Sequence, residues 1–145
     1  MSISEPILVG LAEHVRAFAL GKLAEKGLSS SLTVDSIMLY GGAARFHMGL
    51  AAHYHDYDLN VFYRKARDYH IGDARRFNRR GAFWNAGIYA SREVQVLFNI
   101  LDPEVAWSEG IASRQSKRWK VIQANPIMLL WPIRNDRISL AEGPI

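Results

Sequence analysis

Met38 to Tyr63 reads MLYGGAARFHMGLAAHYHDYDLNVFY, and this stretch decides both the fold and the place to look for function. Two glycines, Gly41 and Gly42, end an apolar run, and two aspartates, Asp56 and Asp58, begin the next one. An interval of helix length separates the two pairs. The stretch therefore predicts a strand, a sharp turn into a helix, and a second strand with acidic residues at its start.

The glycine pair and the aspartate pair each have a physical use. Gly41 and Gly42 allow the backbone to turn sharply and approach a ligand, and the N–H groups of the following helix would face a phosphate. Asp56 and Asp58 share one face of a strand because side chains alternate with period two. Two carboxylates so placed repel each other unless a cation lies between them, and Mg²⁺ held jointly with substrate phosphates favours such oxygen ligands. The aspartates therefore predict a metal site.

In these residues the chain resembles the nucleotidyltransferase superfamily. The family signature is an apolar residue before Gly-Gly or Gly-Ser, a spacer, and Asp-apolar-Asp-apolar on the next strand. Tyr40-Gly41-Gly42 and Asp56-Tyr57-Asp58-Leu59 fit that order, and the resemblance covers residues 33 to 100. It implies an α/β (α+β) fold, in which a small mixed β-sheet has helices packed on one face. It also implies Mg²⁺-dependent transfer of a nucleoside monophosphate from an NTP to an acceptor hydroxyl.

The same resemblance implies roles for five residues. Asp56 and Asp58 would be catalytic metal ligands in a site for two Mg²⁺ ions, which activate the attacking oxygen and neutralise the leaving pyrophosphate. Gly41 and Gly42 would bind the nucleotide phosphates. Arg45, one turn into the helix, would meet the triphosphate from the side; a solvent-facing helix arginine is the alternative interpretation.

A third carboxylate on a neighbouring strand completes the metal cage in enzymes of that family. The run REVQVLF, aligned with the family's third strand, puts Gln95 at the usual acidic position, and glutamine supplies no negative charge. Glu93 lies two residues earlier on the same face and is the candidate third metal ligand and catalytic residue, unless it is a surface glutamate. If neither residue completes the cage, the chain is an inert relative that binds nucleotide without turnover. Such a relative would act as a regulatory module or as one component of a toxin–antitoxin pair.

The length of 145 residues predicts one domain over residues 1–145, and hydrophobic periodicity predicts its elements. Apolar residues recur at helical spacing from Glu5 to Gly27, with Ser4 as the cap and Gly27 as the end. Asp56 to Tyr63 and Glu93 to Ile100 alternate as two strands of one mixed sheet backed by helices. We expect their core-facing residues to be Tyr57, Leu59, Val61, Tyr63, Val94, Val96, Phe98 and Ile100. The opposite face of the sheet would then be open for chemistry.

Shorter patterns predict the remaining elements. Ile37 to Tyr40 is a buried strand, and Ala43 to Ala52 a short helix. A helix that Asp73 caps would carry a basic stripe, which either holds nucleic acid or an acidic partner or is simply solvated: Arg75, Arg76, Arg79 and Arg80. An amphipathic helix should run from Glu104 to Gln123. Ile127 to Ile133 should be an edge strand because Pro132 cannot donate to a ladder.

Composition limits the possible classes of protein. The 145 residues are 49% hydrophobic and 22% charged, as in a globular domain, and there is no cysteine for a disulfide or a thiolate metal site. The net charge of +4 favours an anionic partner such as a nucleotide. No segment looks like a signal peptide or a membrane span, so we expect a cytoplasmic protein without membrane contact. The acceptor (protein, RNA or small molecule) and the base of the NTP stay open, and a homodimer or a partner protein would complete the cleft.

Two further hypotheses explain the aspartates differently. In a nucleic-acid-binding protein they would be incidental, and binding would depend on salt but not on Asp58. In a metal-dependent hydrolase, His53 and His55 would join Asp56 around a zinc ion. Strand parity disfavours that zinc site, since it turns the histidines away from the aspartates.

Overall fold

The computed structural model describes residues 5–66, 69, 83–101, 127–134 and 137–141, which form two helices and six strands. In chain order these are α1 (Glu5–Glu25), β1 (Leu32–Tyr40), α2 (Gly41–His47), β2 (Tyr57–Lys65), β3 (Trp84–Tyr89), β4 (Arg92–Leu101), β5 (Ile127–Arg134) and β6 (Arg137–Ala141). Four expectations lie outside the described residues: the Ser4 cap, the Asp73 cap, the arginine stripe, and the helix from Glu104 to Gln123.

The strands form one mixed sheet in the order β3-β4-β2-β1-β5-β6. Strands β2 and β4 are parallel neighbours, with Tyr57 beside Val94 and Asp58 beside Gln95. The other neighbouring pairs are antiparallel. The predicted α+β class with a mixed sheet is therefore confirmed, including the pairing of the two alternating runs in a common sheet.

Helix α1 covers one face of this sheet, which we call the first face. The alternation in β1, β2 and β4 puts apolar side chains on it, all fully buried: Ile37, Leu39, Tyr57, Leu59, Val61, Tyr63, Val94 and Val96. Phe18 of α1 stacks on Phe98 with ring centroids 6.1 Å apart, and the Tyr63 hydroxyl donates to the Ala19 carbonyl at 2.7 Å. Ala43 and Ala44 of α2 belong to the same core, so both described helices pack on the first face as predicted.

The opposite face, which we call the second face, is not open along its length. Its central side chains are buried, polar ones included: Ser36, Met38, Asn60, Phe62, Asn99 and Leu129. Half-buried side chains on this face include Asp58 and Gln95, near the start of β2, and Leu97 on β4. The expectation of an open face for chemistry is therefore wrong at the centre of the sheet, because alternation reports which residues face α1 and not what lies over the other side.

The position of β5 corrects a second expectation. This strand pairs with β1 on one side and β6 on the other, so it is internal. Pro132 fits there because the β5–β6 register shifts between Leu129 and Arg134, leaving a stretch in which proline removes no regular ladder bond. The described edge strands are β3 and β6, neither of which the sequence patterns indicated.

A glycine with positive φ lies just beyond the end of each described helix. Gly27, at φ +69°, ends α1, and the Leu28 N–H bonds back to the Leu23 carbonyl at 2.8 Å, so the predicted glycine stop is confirmed. Helix α2 stops at His47 rather than Ala52. Gly49 adopts φ +76° just beyond it, and the Leu50 N–H returns to the Arg45 carbonyl at 2.8 Å. In the described part of the chain, no helix has both the length and the apolar character that crossing a membrane requires.

Candidate functional site

Gly41 and Asp58 meet where β1 ends and α2 begins. Tyr40, the last residue of β1, is the register partner of Asp58 on β2. A Cβ atom added to Gly41 would lie 3.3 Å from the Asp58 Oδ2, and Gly41 has φ +73°. Both the positive φ and the close approach of the carboxylate therefore require glycine at this position. The two halves of the sequence motif come together in the fold.

Gly42 has a weaker requirement. Gly42 is exposed, and a Cβ atom added to it would make only ordinary contact with the Tyr54 Cβ at 3.9 Å. The first turn of α2 contains no acidic residue, and the side chain of Tyr40, the N-cap residue, makes no capping hydrogen bond to this turn. Gly42 thus leaves room for an anion beside the turn, whereas the backbone conformation of the turn depends on Gly41.

Asp56 and Asp58 are both half-buried, and they flank the buried Tyr57. Asp58 lies in β2, whereas Asp56 precedes the first residue of that strand. Asp58 takes part in a further interaction of the folded chain, as does the half-buried Arg45 of α2. Two carboxylates thus stand at the start of β2, and that of Asp58 lies beside the glycine turn, on the side where a Cβ of residue 41 would project.

Gln95 is the residue beside Asp58 on the neighbouring parallel strand. Adjacent strands are about 4.8 Å apart, so the two side chains project as neighbours on the second face. Glu93, two residues earlier, is exposed. Among the described residues, no three His, Cys, Asp or Glu side chains gather in a way that would hold a metal ion. The structure therefore brings Gly41, Asp58 and Gln95 together and does not join Glu93 to a three-carboxylate cage.

The two histidines of the alternative zinc site also lie apart from such a cage. His53 and His55 are both exposed, and their ring centroids are 6.1 Å apart. Together with Asp56 they form no three-ligand group within the residues described. Two exposed imidazoles are fewer protein ligands than the three that catalytic zinc sites use.

Behind the aspartates, an aromatic cluster ties α2 and β2 to the hairpin of β3 and β4. The hydroxyls of Tyr54 and Tyr57 are 2.7 Å apart, and the Tyr57 and Tyr89 ring centroids are 5.9 Å apart. Arg92 lies over the Tyr54 ring at 4.9 Å. Burial, followed by the hydrogen bond with Tyr54, raises the pKa of Tyr57 well above its usual value. Tyr57 is therefore a neutral, structural hydroxyl at physiological pH, and it fixes the direction of the strand that carries Asp58.

His47 is a member of this cluster that the sequence patterns did not single out. It is 6% exposed and packs edge-on against Phe46, with the ring centroids 5.2 Å apart. Ala43, Ala44 and His47 are all buried and stand at i, i+1 and i+4, which is the spacing of one helix face. That spacing was the signal available in the sequence, and an imidazole on an otherwise alanine face made it easy to miss.

Two asparagines continue the polar line from Asp58 along the second face. The Asn99 Nδ2 donates to the Asn60 Oδ1 at 3.0 Å, and both side chains are buried. Within the described part of the chain, the Asn99 Oδ1 has no hydrogen-bond partner, and neither has the buried Ser36 Oγ. The period-two alternation places Asn60 and Asn99 on this face, but nothing in the pattern indicates that they are buried.

No known protein family, no curated protein and no solved structure shows a significant match to this chain. The resemblance to nucleotidyltransferases therefore rests on the motif at Gly41, Gly42, Asp56 and Asp58 and on the way these residues are arranged.

Proposed function

We propose that this domain binds an NTP through Mg²⁺ and transfers its nucleoside monophosphate to an acceptor hydroxyl. The observation that supports the proposal is the contact between the Gly41 turn and the Asp58 carboxylate, with 3.3 Å between an added Gly41 Cβ and the Asp58 Oδ2. A glycine-dependent helix start beside a carboxylate suits a ligand that carries both phosphates and a divalent cation.

Asp56 and Asp58 are the residues that would hold Mg²⁺. The ion is usually bound through one or two carboxylates plus substrate phosphates, so this pair fits a single Mg²⁺–nucleotide complex. The bound ion would neutralise phosphate charge during transfer. Gly41 and Gly42 present the backbone N–H groups of α2 toward the phosphates, and Arg45 on the same helix orients the triphosphate from the side.

The chemistry asked of the protein side chains is modest. The acceptor oxygen bonds to the α-phosphorus, pyrophosphate leaves, and the protein contributes mainly by positioning and charge. Two half-buried aspartates supply the charge, and the aromatic cluster around Tyr57 keeps the start of β2, next to both of them, rigid. The acceptor remains a protein, an RNA or a small molecule with a hydroxyl.

Calorimetry of the full chain with each of the four NTPs, with Mg²⁺ and with chelator, tests the proposal. We expect Mg²⁺-dependent binding of at least one NTP in the wild type and a loss of about tenfold or more in affinity, about 1.4 kcal/mol, in Asp58→Asn. Asp35→Asn is the charge-matched control, since Asp35 pairs with Arg64 at 2.7 Å in the folded chain and has no place in the proposed site. Equal affinities in wild type and Asp58→Asn would contradict the site.

A second candidate is an inert relative that binds nucleotide without transferring it. The observation that favours it is the pairing of Gln95, which is uncharged, with Asp58, while Glu93 is exposed. A site with two protein carboxylates holds a second metal ion poorly, and in-line transfer would be slow.

Label transfer from NTP to protein or RNA separates the two candidates. An active enzyme transfers label in the wild type, in Mg²⁺ or Mn²⁺, and Glu93→Gln abolishes transfer only if Glu93 is catalytic. An inert relative binds nucleotide without transfer, and Gln95→Glu, which adds a carboxylate beside Asp58, should then create or increase transfer. Nucleotide binding without transfer, both in the wild type and in Gln95→Glu, would reject the enzyme and leave the binding module.

A further inference from the structure

His47 is a buried titratable group that the proposed chemistry does not use. It is the last residue of α2, is 6% exposed, and neither of its ring nitrogens has a hydrogen-bond partner among the residues that the structure describes. A neutral imidazole carries one donor and one acceptor, and an unsatisfied buried polar atom costs about 1–3 kcal/mol. A histidine buried here therefore lowers the stability of the fold relative to an apolar residue of similar size.

No described residue makes a hydrogen bond with the imidazole. Its ring centroid lies 5.6 Å from that of Tyr54 and 6.4 Å from that of Tyr57, which is stacked on it. The hydroxyls of these two tyrosines hydrogen-bond to each other. Arg92 lies over the ring of Tyr54, so a positive charge stands beside this cluster.

The other elements packed against α2 add little that titrates. Strand β1 ends in Tyr40 next to the helix, and the buried part of β5, Ile127 to Leu130, is apolar. Within α2 itself the charged residue is Arg45. Asp58, the carboxylate in contact with the helix, lies against Gly41 at the opposite end from His47.

Protonation of His47 would put two N–H donors and a full charge into this apolar setting. Burial accordingly lowers the pKa of His47 below its usual 6.5, because the charged form is disfavoured there. By linkage, acid favours any conformation in which the imidazole reaches water. Below the ordinary pKa, the equilibrium shifts toward that conformation.

The topology allows such an opening without disrupting the sheet. Helix α2 and residues 48–56 form the connection between β1 and β2, and these strands pair directly up to Tyr40 and Asp58. Apart from His47, the buried side chains of α2 are Ala43 and Ala44, which bury little apolar area. His47 is therefore the largest buried side chain that holds the helix in place.

We propose that His47 is a pH-sensitive anchor for α2: when it takes up a proton, α2 leaves Tyr54 and Tyr57, and Gly41 moves away from Asp58. The loss of nucleotide affinity that follows rests on the proposed function, whereas the opening itself does not. The ligand whose binding closes the anchor is then the Mg²⁺ complex of a nucleoside triphosphate, and binding and protonation oppose each other.

Hydrogen exchange of the full chain at about pH 7.5 and about pH 5.5, corrected for intrinsic exchange rates, measures the opening. One pH unit below 6.5, protonation in the open state favours opening by at most about tenfold, so protection of α2 should fall by up to about tenfold relative to β2. His47→Phe, which keeps an aromatic ring without a titratable group, should show no such fall. His53→Gln, at an exposed histidine, should behave like the wild type.

Three results would overturn the anchor: unchanged protection of α2 in the wild type, an equal fall in His47→Phe, or a fall that α2 and β2 share. If His47→Phe does not fold, the ring signals of wild-type His47 decide by NMR. Titration below pH 6.5 together with the α2 amides upholds the anchor, and titration at 6.5 or independence from α2 rejects it.

Calorimetry with the Mg²⁺ complexes of the NTPs at the same two pH values separates the anchor from the proposed function. Acid-dependent opening of α2 in a chain that binds no nucleotide at either pH would uphold the anchor and reject the nucleotide site. Nucleotide binding at both pH values with α2 closed throughout would do the reverse.

Discussion

The two faces of the sheet are both buried at their centres, yet they differ in what they bury. On the first face, Leu39, Leu59 and Val96 pack as hydrocarbon beneath α1. Hydroxyls that reach this helix have acceptors there: Tyr63 donates to the Ala19 carbonyl and Tyr89 to the Ile7 carbonyl. On the second face, Asn60 and Asn99 are buried instead.

This difference shows that stability alone explains the buried residues of the first face but not those of the second. Every polar group buried without a partner costs free energy, and the Asn99 Oδ1 has none. Apolar residues would make the second face more stable. Polar residues that run toward Asp58 and Gln95 are therefore better explained by the site at the end of this face than by folding.

The largest expected effect is on the first face. Leu59→Ala should lower the free energy of unfolding by about 2–5 kcal/mol, because Leu59 is fully buried and the cavity cannot be filled by water. Leu97→Ala is the matched control on the second face, where the side chain is only half-buried. Urea unfolding of both variants would contradict the comparison if Leu97→Ala cost as much as Leu59→Ala.

Next in size is the asparagine pair. Asn99→Ala should cost about 1–3 kcal/mol, since it leaves the buried Asn60 amide without its 3.0 Å partner. A double-mutant cycle with Asn60→Ala isolates the coupling between the two side chains. Additive losses would mean that the hydrogen bond contributes nothing and that the second face is held by packing alone.

Tyr63→Phe should have a smaller effect that depends on pH. Losing the bond to Ala19 costs about 0.5–1.5 kcal/mol at neutral pH. Burial raises the pKa of Tyr63, so the wild-type tyrosine contributes stability that is present below its unfolded pKa of 10.0 and is lost as pH rises beyond it. Unfolding measured across this range should therefore show the wild type weakening relative to Tyr63→Phe, and parallel curves would contradict the buried hydroxyl.

The smallest effect should be that of Glu93→Gln on stability, within about 0.5 kcal/mol, because the side chain is exposed. Gln95→Glu should destabilise the metal-free chain by about 0.2–1 kcal/mol, since the new carboxylate stands beside Asp58. Thermal unfolding with and without Mg²⁺ tests both. Stabilisation of Gln95→Glu in the absence of metal would mean that the two side chains are not neighbours.

Sequence reasoning succeeded where one strand or helix carries its own signal. The period-two alternation of β2 and β4 identified the fully buried Leu59 and Val96, and Gly27 marked the end of α1. Such signals depend on residues that are close together in the sequence and on one buried face of the element. The glycine turn next to Asp58 was predictable for the same reason, since it needs only adjacent elements.

It failed where the answer depends on a neighbour distant in sequence. Glu93 and Gln95 share a face, so the sequence left open which of them stands at the third-carboxylate position, and the register with β2 puts Gln95 beside Asp58. Pro132 indicated an edge, but the irregular β5–β6 register lets it lie inside the sheet. The helix after Gly42 was predicted too long because the conformation of Gly49 cannot be read from apolar spacing.

Paramagnetic broadening by Mn²⁺ tests the central claim, that the Gly41 turn and Asp58 hold a metal–nucleotide complex, most directly. Mn²⁺ takes the same oxygen ligands as Mg²⁺, so Mn²⁺–NTP should be added to ¹⁵N-labelled wild type and to Asp58→Asn. The far end of β2, at Lys65, is about 23 Å away at about 3.3 Å per residue. The account predicts that the amides of Gly41, Gly42 and Asp58 broaden first, that Gly27 and Lys65 do not, and that Asp58→Asn removes the effect. Broadening centred on His53 and His55, or equal broadening in Asp58→Asn, would contradict it.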